Sequence, residues 1–149
     1  MHRDESRVSA QILTSYGFQK IGSFRIAGNR FCVEVTDNET TKLEKCVYVF
    51  VIGDEVARVG SSKAPLKNRL KSYERDITKA LAGRKSACPA WEAQKWADWL
   101  SEVEHGEIFA RQGTTVITPI GTFPAYLDEE SRLISEFWHE RTLNRSKHR

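Results

Sequence analysis

The clearest pattern in the chain is an apolar run, a tight turn and a second, shorter apolar run. The run CVYVFVI, residues 46–52, is rich in β-branched side chains and is long enough for one buried strand. Gly53-Asp54 is a hairpin turn signal, and Glu55–Val59 predicts the second strand. The middle of the chain therefore predicts a β-hairpin.

A basic amphipathic helix is predicted directly after this hairpin. Gly60-Ser61-Ser62 ends the second strand, and Ser62 is placed to cap a helix that begins near Lys63, with Pro65 in its first turn. One face of the helix is apolar, and another carries lysines at spacings of four. The apolar positions are Leu66, Leu70, Tyr73 and Ile77, and the lysines are Lys63, Lys67 and Lys71.

The flanking sequence predicts further helices and strands. Upstream we expect a helix over Asp4–Tyr16, one or two strands within residues 18–35 that turn at Gly28-Asn29, and a polar linker over Asp37–Glu44. Downstream we expect a loop, a helix, two short strands, a turn region and a last helix. Their bounds are Lys79–Cys88, Pro89–His105, Ile108–Ala110, Thr115–Ile117, Pro119–Pro124 and Asp128–Thr142. We expect the tryptophans of the first downstream helix to pack on the sheet rather than to stack on bases.

Length and composition are those of one ordinary globular domain. The chain has 149 residues, of which 40% are hydrophobic and 29% are charged. We expect residues 1–44 to form an N-terminal extension of a helix and strands, residues 45–144 a core, and residues 145–149 a basic tail. The three cysteines form no CxxC pair, so neither a zinc site nor a disulfide framework is expected.

Several classes of protein are disfavoured by what the sequence does not contain. No run approaches about 18 apolar residues and the charged N-terminus does not resemble a secretory signal, so we expect no membrane association and a cytoplasmic location. None of the four histidines has a plausible partner in the sequence, which argues against a histidine metal site or a Ser-His-Asp arrangement.

Positive charge is concentrated in one stretch, although the net charge is only +3. A stretch of 23 residues contains eight basic side chains and only two acidic ones, Glu74 and Asp76. The basic residues are Lys63, Lys67, Arg69, Lys71, Arg75, Lys79, Arg84 and Lys85. Such a run is either a solvated face or a surface that binds a phosphate backbone. A tyrosine on one strand, a glycine at the end of the next and an arginine on the helix can converge on one phosphate, which favours the second interpretation.

Four segments in order resemble the GIY-YIG nuclease family, over about two thirds of the chain. They are Cys46-Val47-Tyr48 for the first triplet, Arg58-Val59-Gly60 for the second, Arg69 for the helix arginine, and Glu130-Ser131-Arg132-Leu133-Ile134 for the glutamate helix, with Asn144 matching the asparagine beyond it. The similarity is closest to the short type II restriction endonucleases and to a phage member of the family. It implies an α+β fold with a small, mainly antiparallel sheet flanked by helices.

The resemblance also implies an activity, which is endonucleolytic hydrolysis of double-stranded DNA, either restriction-type or phage-type, by a homodimer or higher oligomer. It makes Tyr48 the residue that orients or deprotonates the attacking water, Arg69 the clamp on the scissile phosphate, and Glu130 the ligand of Mg²⁺, for which Mn²⁺ can substitute. Arg58 either lowers the pKa of Tyr48 or contacts the phosphate. The expected DNA-binding residues are Ser61, Ser62, Lys63, Lys67, Lys71, Arg84, Lys85 and Asn144, with the two serines donating at a helix N-terminus.

Three positions depart from the family pattern and keep an alternative open. Arg58 stands where many members have tyrosine, Ser61 where some have histidine, and Cys46 where the first glycine is expected. The alternative is a non-catalytic DNA-binding protein built on a decayed copy of the fold. A fragment of a homing-type nuclease is disfavoured, because the chain carries no zinc-finger spacing and no helix-turn-helix run.

Overall fold

A computed structural model describes residues 9–144 of the protein. For Ser9 it describes the backbone alone. The helices are α1 (Ser9–Ser15), α2 (Leu66–Leu81), α3 (Ala90–Leu100) and α4 (Tyr126–Phe137), and one 3₁₀ turn spans Thr40–Lys42. The strands are β1 (Gln19–Ala27), β2 (Arg30–Val35), β3 (Cys46–Ile52), β4 (Glu55–Ser62), β5 (Gly106–Gln112), β6 (Thr115–Thr118) and β7 (Gly121–Pro124).

Five of the strands form one antiparallel sheet in the order β2-β1-β5-β3-β4. Strand β3 is buried along its whole length between β5 and β4, and β4 is an edge strand. The strands of the predicted N-terminal extension join the same sheet, because β1 pairs with β5. Strands β6 and β7 form a separate two-stranded hairpin. The expected α+β fold with an antiparallel sheet and flanking helices is confirmed.

Helices cover both faces of the sheet, and successive residues of β3 serve opposite faces. We call the side covered by α2 and α3 the polar face, because the ion pair of Arg58 and Glu92 lies on it. We call the side covered by α1 and α4 the apolar face. The β3 residues on the polar face are Cys46, Tyr48, Phe50 and Ile52. Those on the apolar face are Val47, Val49 and Val51, and they pack with Leu13, Leu133, Ile134 and Phe137. No helix of residues 9–144 is both long and apolar enough to cross a membrane.

A β-bulge in β4 sets the direction of its side chains. Phe50 pairs with Arg58, whereas Val51 pairs with Val56, so Ala57 is an extra residue on the edge strand. Val56 packs on the apolar face and Ala57 on the polar face. The bulge therefore lets Val56 keep its apolar contacts while Arg58, two residues later, points to the polar face.

The central hairpin has the predicted turn, and β3 has the predicted bounds. Gly53 takes a φ of +62°, which suits glycine in this turn. Strand β4 is longer than predicted, because Ser62 still pairs with Cys46.

The predicted start of the basic helix is wrong. Helix α2 begins at Leu66, with Pro65 at its N-cap, and Ser62 caps nothing. The Ser62 hydroxyl donates to the carbonyl of Ala64 at 2.6 Å instead. Pairing with Cys46 keeps Ser62 extended, and a residue that precedes proline, here Ala64, disfavours helical angles. The expected phosphate-binding role placed Ser61 and Ser62 at a helix N-terminus. In the structure neither serine lies there, because α2 begins at Leu66.

Other boundaries differ because tertiary contacts act where local signals are weak. The loop expected from Lys79 begins only after Leu81, and the helix expected to reach His105 ends at Leu100. The region Pro119–Pro124, expected as a turn, contains β7, since that strand pairs with β6. The last helix ends at Phe137 rather than Thr142.

Beyond the last helix, the chain turns back to the edge of β4. The His139 imidazole Nε2 lies 2.8 Å from the Val56 carbonyl, and the Leu143 amide donates to the Ala57 carbonyl at 2.7 Å. The His139 side chain is therefore partly buried. Of the expected tryptophan stripe, Trp96 and Trp99 are buried, while Trp91 is exposed. The predicted helix residues 4–8 and the basic tail 145–149 lie outside the described residues.

Candidate active site

A polar cleft of about 290 Å³ opens on the polar face, between α2, α3 and β4. It brings together residues that are far apart in sequence and that carry both signs of charge. Its lining residues are Arg58, Arg69, Ser72, Tyr73, Asp76, Ile77, Ala87, Cys88 and Glu92. Two of the four expected catalytic residues, Arg58 and Arg69, therefore lie at one opening.

Tyr48 lies behind this cleft, and its ring rests on Gly60. The two residues face each other across β3 and β4, and a Cβ atom at position 60 would overlap the ring and hydroxyl of Tyr48. This close approach explains why the second triplet ends in glycine. Tyr48 is only 2% exposed, and its hydroxyl hydrogen-bonds the hydroxyl of Tyr73 at 2.8 Å.

The phenol of Tyr48 is held in its neutral form. Burial raises its pKa well above the ordinary value of 10.0, and the neighbouring Tyr73 adds to the shift. Arg58 and Arg69 act to lower the pKa but do not outweigh burial. The effect of Arg58 is too small to turn Tyr48 into a usable base. The net shift of the pKa is upward, so Tyr48 is suited to hydrogen bonding rather than to taking up a proton.

Arg58 is fixed by contacts on several sides. Its Nη1 lies 3.4 Å from the Glu92 carboxylate and 3.4 Å from the Leu143 carbonyl, and its guanidinium lies over the Tyr73 ring at 5.5 Å from the centroid. The pKa of Arg58 is raised, mainly by Tyr73 and then by Tyr48 and Glu92, against the effect of burial. Arg58 therefore keeps its charge although its side chain is only 23% exposed.

Glu92 and Tyr73 are the site residues that sequence reasoning missed. Glu92 is 4% exposed, and the Cys88 thiol lies 3.6 Å from its Oε2. A signal for Glu92 was present, because it falls four residues before the buried Trp96 on α3 and hence on the inward face. The sequence pattern places Tyr73 on the apolar face of its helix. The signal for the site is its position one helical turn after Arg69, which brings both side chains to the cleft.

Arg69 is the exposed cation of the cleft. It lies one helical turn before Tyr73, so both side chains reach the same opening. Arg69 is exposed and forms no ion pair with any residue in the range 9–144. A planar guanidinium in this setting can donate two parallel hydrogen bonds to the oxygens of a phosphate.

Glu130, the expected metal ligand, lies on the apolar face of the sheet. It is 3% exposed, and the Ser61 hydroxyl donates to its Oε1 at 3.0 Å. Ser61 follows Gly60 along β4, and adjacent residues of a strand point to opposite faces. Glu130 is not among the residues that line the cleft. The expected catalytic residues are thus divided, with Arg58 and Arg69 on the polar face and Glu130 on the apolar face. A single phosphate could meet both groups only around the outer edge of β4.

The residues at Glu130 fit a magnesium site only in part. Within the described part of the chain, no three His, Cys, Asp or Glu side chains lie close enough together to hold a metal ion. A carboxylate beside the Ser61 hydroxyl offers only hard oxygen donors. Mg²⁺ prefers such donors and keeps most of its waters, so a single carboxylate can hold it when a phosphate supplies further oxygens.

The neighbouring Glu129 has a structural role. It accepts hydrogen bonds from the Thr114 amide and hydroxyl, both at 2.8 Å, and pairs with Arg111. Partial burial acts to raise the pKa of Glu129, but these bonds outweigh it, and the pKa is lowered.

Asn144, expected to bind DNA, is engaged by the edge of β4. Its Nδ2 donates to the Val59 carbonyl at 2.8 Å, and its Oδ1 accepts from the Val59 amide at 2.9 Å. These two bonds mimic a neighbouring strand and cover backbone groups that an edge strand leaves open. The observed contacts of Asn144 are those of a structural residue.

The expected basic surface is exposed. Its members are Lys63, Lys67, Lys71, Arg84 and Lys85, and none of them pairs with an acidic side chain of residues 9–144. Lys67 and Lys71 lie one turn apart on α2, whereas Lys63 precedes the helix. Arg84 and Lys85 follow α2 in the loop that leads to the cleft residues 87 and 88.

No protein-family model and no curated protein match this sequence. Among solved structures, a mutant of bacteriophage T4 endonuclease II is similar, with a TM-score of 0.58 and 21% identity over 89% of this chain and 96% of that one. Restriction endonuclease Hpy188I in complex with product DNA is also similar, with a TM-score of 0.48 and 17% identity over 91% and 89% of the two chains. The α+β fold that the sequence motifs imply is therefore shared with endonuclease II.

Proposed function

We propose that the protein is a metal-dependent endonuclease that hydrolyses phosphodiester bonds in double-stranded DNA. The observation that carries this proposal is the cleft itself, which is lined by a fixed arginine, an exposed arginine and the phenol of Tyr73, with Tyr48 hydrogen-bonded to Tyr73 behind it. A phosphodiester needs charge neutralisation and an oriented water, and these groups supply both. The fold shared with endonuclease II adds support from similarity.

Each residue has a definite task in this proposal. Arg69 binds the scissile phosphate, and Arg58, held by Glu92, stabilises negative charge that develops on it. The hydrogen-bonded pair of Tyr73 and Tyr48 acts as one unit that orients the attacking water. Glu130 holds Mg²⁺, or Mn²⁺ in its place, which when bound would polarise the phosphate and favour ionisation of a bound water.

The surroundings of the cleft serve DNA binding. The exposed cations Lys63, Lys67, Lys71, Arg84 and Lys85 contact the phosphate backbone without regard to sequence. One cleft per chain cuts one strand, so cleavage of both strands calls for a homodimer or a higher homo-oligomer. Recognition of a sequence, in a restriction-type enzyme, would come from the loops of the core and from the N-terminal extension.

Cleavage is tested with purified protein, supercoiled plasmid and phage DNA, with Mg²⁺, with Mn²⁺ and with EDTA. We expect nicked and linear products with either metal and none with EDTA, and mapping of the ends reports any sequence preference. Cleavage that persists in EDTA would overturn the metal assignment. Absence of cleavage at every metal concentration would overturn the catalytic proposal.

Two adjacent glutamates provide a matched test of the metal ligand. Glu130→Gln is expected to lower the single-turnover rate by about 10³-fold, because it removes a ligand of the metal while keeping the side-chain shape. Duplex binding should remain. Glu129→Gln should cut at a rate within about threefold of wild type, since its contacts are structural. The reverse ranking would move the metal site to Glu129.

The alternative is a DNA-binding protein without catalytic activity. The observation that favours it is the division of the site, with Glu130 across β4 from the cleft and Tyr48 buried. A binder would retain duplex affinity that depends on the lysines, yet would cut nothing in any metal. The plasmid assay above, combined with fluorescence anisotropy on a labelled duplex, separates the two functions.

A further inference from the structure

The cleft contains a phenol that the motifs do not include. Tyr73 lines the cleft and is half-buried, whereas Tyr48 is 2% exposed and lies behind it. The two hydroxyl oxygens are 2.8 Å apart. A water molecule that enters the cleft therefore meets Tyr73 before it can reach Tyr48.

We propose that Tyr73 is the catalytic phenol of this cleft and that Tyr48 is a positioning residue that holds it, an inference that rests on the endonuclease function proposed above. The division of labour follows from exposure. The helix residue touches the reactants, and the strand residue supports it from the core.

The hydrogen bond between the two phenols leaves Tyr73 able to act in either orientation. If Tyr73 donates to Tyr48, its own oxygen is free to accept a hydrogen bond from the attacking water. If Tyr48 donates, the Tyr73 hydrogen is free to donate to a phosphate oxygen. Because burial keeps the pKa of Tyr48 well above 10.0, Tyr48 remains a neutral partner in both cases.

The ring of Tyr73 is held firmly enough for such a role. It packs against Phe50 with the ring centroids 4.8 Å apart, and the Arg58 guanidinium lies over its face at 5.5 Å from the centroid. Arg69 enters the same cleft from one turn earlier on α2. A phosphate bound by Arg69 is thereby placed near a phenol of fixed orientation, which is the geometry that oriented attack needs.

The reaction at this phenol is ordinary hydrolysis. The water oxygen forms a bond to phosphorus, and the bond between phosphorus and the leaving ester oxygen breaks. The electron pair of that bond goes to the ester oxygen, which takes up one proton in place of the one that the water gives up. Tyr73 accepts a hydrogen bond from the water and aligns it, and Arg69 and Arg58 face the charge on the phosphate.

Isosteric variants of the two tyrosines test the assignment on a duplex that the wild-type protein cuts. Single-turnover rates are measured for Tyr73→Phe and Tyr48→Phe, and duplex affinity is measured by anisotropy with Ca²⁺ in place of Mg²⁺. Tyr16→Phe is the control, because it also removes a hydrogen-bonded phenol, but one that contacts Glu136 at the surface.

We expect Tyr73→Phe to be slower by about 10²–10⁴-fold and Tyr48→Phe by about tenfold, with both affinities within about twofold of wild type. Tyr16→Phe should cut normally. The unchanged affinity separates a positioning role of Tyr48 from a general loss of structure, which would weaken binding as well.

The assignment is overturned if Tyr48→Phe loses as much activity as Tyr73→Phe, or more. It is also overturned if Tyr73→Phe cuts at the wild-type rate while Arg69→Ala does not, in which case the endonuclease proposal stands without it. Failure of the wild-type protein to cut any duplex would remove the endonuclease proposal itself.

Discussion

The two faces of the central sheet use the same two strands for different purposes. On the apolar face, Val47 and Val49 pack with Leu133 and Ile134 in a continuous core. On the polar face, Tyr48 and its neighbours meet Arg58 and the charged residues of α2 and α3. Each face receives every second residue of β3 and has a hydrophobic core, yet the core of the polar face also borders the cleft that contains Arg58 and Arg69.

The difference shows how a small domain can place charged groups without losing its core. Both faces supply burial, and the polar face also accepts Arg58, because Glu92 balances its charge and Glu92 and a backbone carbonyl face its Nη1. The buried Nε of Arg58 has no hydrogen-bond partner within residues 9–144. Glu130 is the exception, since it is a buried carboxylate on the apolar side, bonded to Ser61. In the proposed endonuclease, the metal held by Glu130 and the phosphate bound by Arg69 would meet around the edge of β4.

Among the tests that compare the two faces, a large effect is expected for the exposed cation of the polar face. Arg69→Ala should lower the single-turnover cleavage rate by about 10²–10³-fold, because it removes charge stabilisation that grows in the transition state. Arg25→Ala, which removes an exposed arginine of β1, is the matched control and should cut normally. Equal rates for Arg69→Ala and Arg25→Ala would show that the cleft is not where the phosphate binds.

A change at Gly60 tests how closely the polar face is packed. Gly60→Ala should lower the free energy of unfolding by about 1–3 kcal/mol in urea, because the new Cβ overlaps the Tyr48 ring. In a Tyr48→Ala background, the same change should cost less than about 0.5 kcal/mol, since the overlapping ring is gone. An equal cost in both backgrounds would mean that the ring does not rest on this glycine.

The basic surface is tested through the salt dependence of DNA binding. Replacing Lys63, Lys67 and Lys71 by alanine should weaken binding to all duplexes alike and reduce the slope of log K against log salt by about three units, one for each lost phosphate contact. A control with the same change in charge replaces exposed lysines elsewhere, namely Lys20, Lys42 and Lys95. If the two triple variants have the same slope, the lysines of α2 face solvent.

The smallest effect comes from titration of Tyr48. The pKa of Tyr48 is raised in the folded protein. Between pH 10 and that raised pKa, Tyr48 has lost its proton in the unfolded chain but keeps it in the folded chain. The free energy of unfolding should therefore fall as pH rises above about 10, and Tyr48→Phe should flatten that fall. Burial also raises the pKa of the Cys46 thiol, from 9.0 to about 11, so a decline that starts near pH 9 should remain in the variant. Parallel pH curves for the two proteins would contradict the burial of a titrating Tyr48.

Local signals predicted the hairpin and the phase of its helix, whereas contacts distant in sequence were out of reach. Strand β3 was predicted with its exact bounds because an apolar β-branched run and a Gly-Asp turn act locally. Arg58 meets Glu92 across 34 residues of sequence, and no spacing rule predicts such a pair. The prediction that Ser62 caps the helix is wrong because Ser62 pairs with Cys46 in the sheet. This tertiary contact overrides the local preference of serine for a helix N-cap.

The candidate site was predicted residue by residue but not in its arrangement. Alternation along β4 already implies that Ser61 points away from Gly60. Which helix covers that side, and hence that Glu130 lies there, depends on packing of α4 that the sequence pattern leaves open. The bulge at Ala57 could not be foreseen either, because nothing in its local sequence distinguishes it from a regular strand.

The central claim is that Arg69 on one face and Glu130 on the other act on the same phosphate. A double-mutant cycle measures this directly, with single-turnover cleavage rates for wild type, Arg69→Ala, Glu130→Gln and the double variant at saturating protein and Mg²⁺. Groups that act as a unit give strongly non-additive losses, so the account predicts that the double variant is no more than about tenfold slower than the slower single variant. Losses that multiply in full, or a Glu130→Gln variant that cuts at the wild-type rate, would contradict a shared site.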